Sequence, residues 1–221
     1  MIQKVSIFHI RKVIGKKAAI IVYYLQMRII AGTKKGMKLA SPKSDISRPI
    51  LDRVKESLFS VLYKYDLIED RRIADVFSGV GSLGLEALSR GARAVTFVEK
   101  DPKIFTLLKK NIEKAGFVEQ SKVIKADAFK VAAPVGFEEE KYSIIFVDPP
   151  YSMTTETDQG TMLYELLILA HQQLADNGII VVRTHRKTEL LKRYGSLEIL
   201  ERRDWSSMAI TLLRFRQEGN D

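Results

Sequence analysis

From residue 72 onward the sequence switches repeatedly between short apolar runs rich in Val, Ile and Phe and longer segments whose apolar residues recur at helical spacing. Runs at residues 73–77, 94–98, 123–126, 144–147 and 179–182 have the length and β-branched content of buried strands. The spacing predicts helices over residues 82–90, closed by Gly91, and over 102–116, opened by the capping pair Asp101-Pro102. A third covers residues 161–175 and is ended by Asn177-Gly178. Strands separated by helices must run parallel, because each helix carries the chain back across the sheet before the next strand begins. The tail differs. Residues 196–203 and 208–215 read as two strands joined only by Asp204-Trp205-Ser206-Ser207. So short a link permits a hairpin and no crossover, so one edge strand must run antiparallel. The expected fold is α/β: a doubly wound, mostly parallel, Rossmann-like seven-stranded sheet with an antiparallel C-terminal edge hairpin. Trp205 is expected in its core.

Upstream, residues 28–40 read as a short hairpin turning at Thr33-Lys34-Lys35. A helix follows over residues 52–65, with Val54, Leu58, Val61, Leu62 and Tyr65 on one face. Three units result: residues 1–26, an extension of unassigned status; 27–66, a basic hairpin and helix; and 67–221, the α/β domain.

The net charge of +9 is unevenly placed. Residues 1–64 carry 14 Lys and Arg against 3 Asp and Glu, and the remainder carries 22 against 24. A basic arm beside a near-neutral body suits a polyanion, and nucleic acid is the expected partner. Lys34, Lys35, Lys38 and Lys43 of the arm, with Arg48 and Arg53 beside it, are the candidate phosphate contacts. The chain has no cysteine, which excludes disulfides and thiolate metal sites. His9, His171 and His185 are scattered without ligand spacing, so no metal is expected. The apolar run at residues 18–25 is shorter than the roughly 20 residues of a membrane span and lacks a signal-peptidase site. We therefore expect no membrane association, a cytoplasmic location and a monomer, with translation starting at Met27.

Gly79-Val80-Gly81-Ser82-Leu83-Gly84 matches G-x-G-x-x-G between the first strand and the first helix, and Glu99 lies 18 residues beyond Gly81 at the end of the second strand. That spacing lets a nucleotide approach the backbone while a carboxylate meets ribose hydroxyls. A dinucleotide and S-adenosylmethionine both satisfy it. Three features favour S-adenosylmethionine. Asp75, four residues before Gly79, suits a cationic amino group and not a pyrophosphate. Asp127-Ala128 follows the third strand, where an Asp can accept from an adenine amine. An antiparallel tail strand is also not expected of a plain dinucleotide domain.

Asp148-Pro149-Pro150-Tyr151 ends the fourth strand, and two prolines without N–H groups stop further ladder pairing. A carboxylate, the Pro149 carbonyl and an aromatic ring on one stiff corner can grip a planar amino group.

Together, the glycine loop, Glu99, Asp127 and the Asp148 corner resemble class I S-adenosylmethionine-dependent amino-methyltransferases. The stretches Arg28-Ile29-Ile30-Ala31-Gly32 and Arg48-Pro49-Ile50-Leu51-Asp52-Arg53-Val54-Lys55-Glu56-Ser57-Leu58-Phe59 narrow the resemblance. They are similar to the bacterial 16S rRNA guanine-N2 methyltransferase family, RsmD-like, over about residues 27–216. The resemblance implies S-adenosyl-L-methionine as cofactor, held by Asp75, Gly79, Gly81, Gly84, Glu99, Asp127 and Ala128. It implies Asp148, Pro149 and Tyr151 as catalytic residues, and ribosomal RNA or an assembling small subunit as partner. The family usually has Thr where Ile50 stands, and often an acid where the fifth strand here ends Arg183-Thr184-His185. Three other functions are compatible with parts of the pattern: a DNA adenine-N6 methyltransferase, a nicotinamide oxidoreductase and a non-catalytic RNA-binding domain. Only 73 residues follow Asp148, nearly all needed to finish the sheet, which leaves no module for reading DNA sequence.

Overall fold

Apolar runs and glycine turns assemble the described residues into one eight-stranded sheet. The structure is a computed structural model and describes residues 27–42, 50–136 and 139–216. The extension 1–26, Lys43 and Arg48 lie outside the described residues. The strands are β1 Arg72–Val76, β2 Ala94–Val98, β3 Ser121–Ile124, β4 Tyr142–Val147, β5 Leu174–His185, β6 Arg193–Tyr194, β7 Leu197–Trp205 and β8 Met208–Phe215, and they lie in the sheet in the order β3-β2-β1-β4-β5-β8-β7-β6. The helices are α1 Asp52–Tyr63, α2 Gly84–Ser89, α3 Pro102–Ala115, α4 Ala128–Val131 and α5 Met162–Gln173. Strands β1 to β5 pair in parallel, and β8 runs antiparallel to both β5 and β7, as the short tail link requires.

Helix ends follow local chemistry. Asp101 caps α3 by accepting from the amides of Lys103 and Ile104, and Gly116 closes it in the left-handed conformation. The sheet is buried on both faces. Ile144, Phe146, Ile179 and Val181 meet α1, α2, α3 and the hairpin residues Met27, Ile29 and Leu39. Ile145, Val147, Ile180 and Val182 meet α4 and α5 on the other side. This is the alternation that a two-faced central strand imposes. Trp205 is partly buried against the first of these cores.

The structure differs from expectation in several places. Helix α1 ends at Tyr63, so Tyr65 lies beyond it and is exposed rather than on its apolar face, and α2 covers only Gly84–Ser89 of the expected 82–90 because the glycine loop runs on to Leu83. Strand β3 lies two residues earlier than its apolar run, because its backbone pairs Ser121 with Val95 and Val123 with Phe97. It is an edge strand, so polar Ser121 and Lys122 are tolerated within it. Asn177-Gly178 does not stop a helix. Helix α5 ends at Gln173, buried Leu174 opens β5, and Asn177-Gly178 sits inside that strand. The register irregularity between Tyr142 and Ile144 on β4 marks the same stretch. The short helix α4 and the two-residue strand β6 were not expected, the latter bringing the count to eight rather than seven.

Candidate active site

The carboxyl ends of β1, β2, β4 and β5 form one rim. Parallel register sets Val76 beside Val98 and Val147, and Val147 beside Val182. The residues that follow these positions must therefore emerge side by side, at the place where open α/β sheets bind ligands.

From β1 emerges the glycine loop. Gly79 and Gly81 have φ of +54° and +87°, a conformation that L-residues with side chains rarely adopt. Phe77 also has positive φ, and its ring meets Phe129 of α4 edge-on at 4.9 Å between centroids. A Cβ built on Gly79 would meet nothing within 4 Å, so the loop is open on that side. Gly84 faces the sheet instead. A Cβ there would lie 2.3 Å from Phe97 Cε1, so this glycine lets α2 sit directly on β2.

Asp75 is 2% exposed, and its Oδ2 accepts the Gly84 amide hydrogen at 2.8 Å. The sequence places it against a cationic amino group. The structure puts it beneath the loop, tying the start of α2 to β1. Burial pushes its carboxyl well above the ordinary carboxylate range; the Gly84 amide opposes the shift, and the neighbouring charges of Asp148 and Glu99 add to it.

Glu99 ends β2 with both oxygens engaged. Its Oε2 accepts from the Gly79 amide at 3.0 Å and its Oε1 from the Asp101 amide at 2.7 Å. Burial raises its pKa, against the pull of those amides. The Lys100 amide also acts on it, and a carboxylate's four lone-pair sites still leave room for a hydroxyl donor. Asp127 caps α4, accepting from the Phe129 amide at 3.1 Å, with Lys100 at 3.7 Å. Ala128 is buried behind it.

Asp148 leaves β4 with its amide on the Val76 carbonyl at 3.3 Å. Its Oδ1 accepts from Arg183 Nε at 2.5 Å. Burial raises its pKa, and the Arg183 guanidinium opposes that rise. The Pro150 carbonyl accepts from Met153, while the Pro149 carbonyl receives no backbone donor among the described residues. Tyr151 opens a 3-10 turn and meets His185 edge-on at 5.7 Å between ring centroids.

The basic arm is bolted to the helix that the glycine loop opens. Glu86 of α2 accepts from the amides of Ile30 and Ala31, and Asn111 of α3 exchanges hydrogen bonds with Ala40. Lys35, Lys38 and Arg53 are exposed. Lys34 is half-buried, with Nζ 5.7 Å from the centre of the Phe117 ring. Among the described residues no cluster of three His, Cys, Asp or Glu side chains could hold a metal, and no helix is long and apolar enough to cross a membrane.

Arg183 and His185, which belong to no motif in the sequence, complete the corner around Asp148 and Tyr151. One signal was available. Arg183 is a charge set directly after the apolar run Ile179-Ile180-Val181-Val182.

The residues present fit S-adenosylmethionine. Gly79 leaves an open cradle, Glu99 beside it has the acceptor chemistry a ribose hydroxyl requires, and Asp127 has that an adenine amine requires. A sheet of this topology is shared with the RNA methyltransferase from Salinibacter ruber, solved in complex with S-adenosyl-L-homocysteine. That match has a TM-score of 0.55 and 15% identity, over 78% of this chain and 97% of that one. The solved Escherichia coli protein yhhF matches with a TM-score of 0.70 and 32% identity, over 85% of this chain and 97% of that one. In sequence, the ribosomal RNA small subunit methyltransferase D of Escherichia coli K12 is 38% identical over 166 residues, 71% of this chain and 79% of its own. The model of the family described as conserved hypothetical protein 95 matches residues 27–214. A match over that span, with that relative inside it, makes this chain a member of the family, an RsmD-like methyltransferase.

Proposed function

We propose that this protein transfers a methyl group from S-adenosyl-L-methionine to the exocyclic N2 amine of a guanine in small-subunit ribosomal RNA. The observation that carries the reading is the position of the Asp148 carboxylate, on the same strand-end rim as the Gly79 loop and Glu99. Bound S-adenosylmethionine supplies a methyl group already activated by the sulfonium. The protein's task is then the acceptor, an amine whose lone pair is delocalised into the ring. Asp148 and the Pro149 carbonyl accept its two N–H protons, which turns the lone pair out of the ring plane. The new N–C bond forms as the C–S bond breaks, leaving S-adenosylhomocysteine; the positive charge that develops on nitrogen is stabilised by the Asp148 carboxylate, and loss of one N–H proton to Asp148 or water gives the neutral methylated amine. Tyr151 stacks on the extruded base and sets its plane. Glu99 holds the ribose, Gly79 and Gly81 give the backbone close approach, and Asp127 with Ala128 borders the adenine. Asp75 and Gly84 hold the loop from behind. Lys34, Lys35, Lys38, Arg48 and Arg53 contact phosphate, which brings the RNA to the rim. Ribosomal RNA as substrate makes this a cytoplasmic enzyme.

The test is incubation with labelled S-adenosylmethionine and small ribosomal subunits, their naked RNA, or duplex DNA, followed by nucleoside analysis. Label in N2-methylguanosine is expected, and label only in N6-methyladenine of DNA would overturn the proposal. Asp148→Ala should retain cofactor binding and lose transfer; normal turnover would remove Asp148 from the chemistry.

A further inference from the structure

We propose that Arg183 is a positioning residue for methyl transfer: its guanidinium pins Asp148 by one carboxylate oxygen and so presents the other to the acceptor amine. The inference rests on the reading of Asp148 given above.

Three observations carry it. First, the contact is made by the topology. Val147 and Val182 are register partners on parallel strands, so Asp148 and Arg183 follow them side by side. The Arg183 backbone is itself held on its far side, where it partners Ile210 of β8. Second, the pair is sheltered. The side chains of Arg183 and Asp148 are 11% and 20% exposed. A guanidinium placed there is costly unless a carboxylate meets it, and an aspartate deprived of it would be left buried with its charge uncompensated. Third, the contact is a charge-assisted bond at 2.5 Å. The terminal torsion of an Asp side chain is broad, and one strong bond to Oδ1 removes that freedom. A carboxylate that must meet an amine proton at a defined angle gains from the restriction.

The surrounding charges give the arrangement a second consequence. Asp75 from β1, Glu99 from the end of β2 and Asp148 from β4 form a set of neighbouring carboxylates. Tyr151 and His185 border them, and His185 accepts the Lys187 amide hydrogen on Nδ1. Arg183 is the cation that favours the charged form of both Asp75 and Asp148, against burial. Removing it should make Asp148 take up a proton at higher pH, and a protonated Asp148 cannot stabilise a cationic nitrogen.

The experiment is single-turnover methyl transfer to small subunits from about pH 5 to pH 9, at saturating S-adenosylmethionine. It compares wild type, Arg183→Met, Arg183→Lys, His185→Gln and Asp148→Ala, with calorimetric cofactor affinity measured for each. Arg183→Met is expected to bind cofactor, to be slowed at least about tenfold near pH 7, and to show an acid limb moved up by about one unit or more. Arg183→Lys, which keeps the charge without the planar fork, should fall between. An unmoved acid limb in Arg183→Met would overturn the proposal, and so would a variant faster than wild type, since Arg183 would then restrain Asp148. A limb that shifts as far in His185→Gln would assign the titration to the imidazole, against the proposal. Full activity in Asp148→Ala would instead sink the underlying reading of the site, so the two failures are distinguishable.

Discussion

Lys55 of α1 and Glu86 of α2 lie 3.4 Å apart with side chains 1% and 0% exposed. Around this pair the basic arm, α1 and the glycine loop are joined. Lys55 Nζ donates to the Arg28 carbonyl at 2.6 Å and to Ser82 Oγ at 3.4 Å. Glu86 accepts from the arm amides of Ile30 and Ala31 and from Arg90 Nε. Burial pulls the Lys55 pKa down, and Glu86 opposes it. Lys55→Met would leave Glu86 buried with only part of its compensation. We expect a loss of about 3 kcal/mol in stability, read as a lower urea midpoint at unchanged slope. A loss below about 1 kcal/mol would mean the pair is dispensable to the arm's attachment.

Asp75 makes a prediction about pH. Its folded-state pKa lies well above the ordinary 3.8 because of burial. The folded state therefore holds its proton where the unfolded chain has released it. This contribution to stability is complete below pH 3.8 and is lost as pH rises through the folded-state value. Asn in its place can still accept the Gly84 amide hydrogen and cannot ionise. Asp75→Asn should gain stability relative to wild type as pH rises through that window, in urea melts at a series of pH values. A constant difference between the two proteins across the series would be the contrary result.

Glu99 should show its part in cofactor binding directly. Hydrogen bonds to a charged group contribute about 1.5–3 kcal/mol, so Glu99→Ala is expected to weaken S-adenosylmethionine binding by roughly 10- to 100-fold in calorimetry. The variant also deprives the Gly79 amide of its partner. An unchanged affinity would argue against ribose recognition at this position.

The arm is tested by salt. Each phosphate neutralised adds about 0.7 to the slope of log affinity against log salt for single-stranded nucleic acid. Replacing Lys34, Lys35 and Lys38 with Gln should make that slope shallower by about 2. A slope equal to wild type would show that RNA docks elsewhere.

Several of these features are legible in the chain and others are not. The helix α3 can be placed to the residue, because Asp101, Pro102 and Gly116 each act on backbone groups within a few positions of themselves. Strand β3 cannot, since its limits are set by which backbone groups of β2 it meets and not by where its own apolar residues lie. Asn177-Gly178 reads as a stop signal yet lies within β5, where pairing to β4 overrides local turn preference. Asp75 is recognisable as a carboxylate at the right place, but whether it faces a ligand or the helix behind the loop depends on how closely α2 approaches.

The sequence alone determined the strand–helix alternation, the antiparallel tail, the glycine turn and the stiff Asp148-Pro149-Pro150-Tyr151 corner. These follow from periodicity, proline and glycine, whose effects are local to the backbone. Only the tertiary structure decided what stands beside them. Arg183 reaches Asp148 across 35 residues because β5 lies next to β4 in the sheet, and Lys55 reaches Glu86 because α1 and α2 share one face of it. A charge becomes a partner only when a second strand or helix is brought within hydrogen-bond reach, and that distance belongs to the fold.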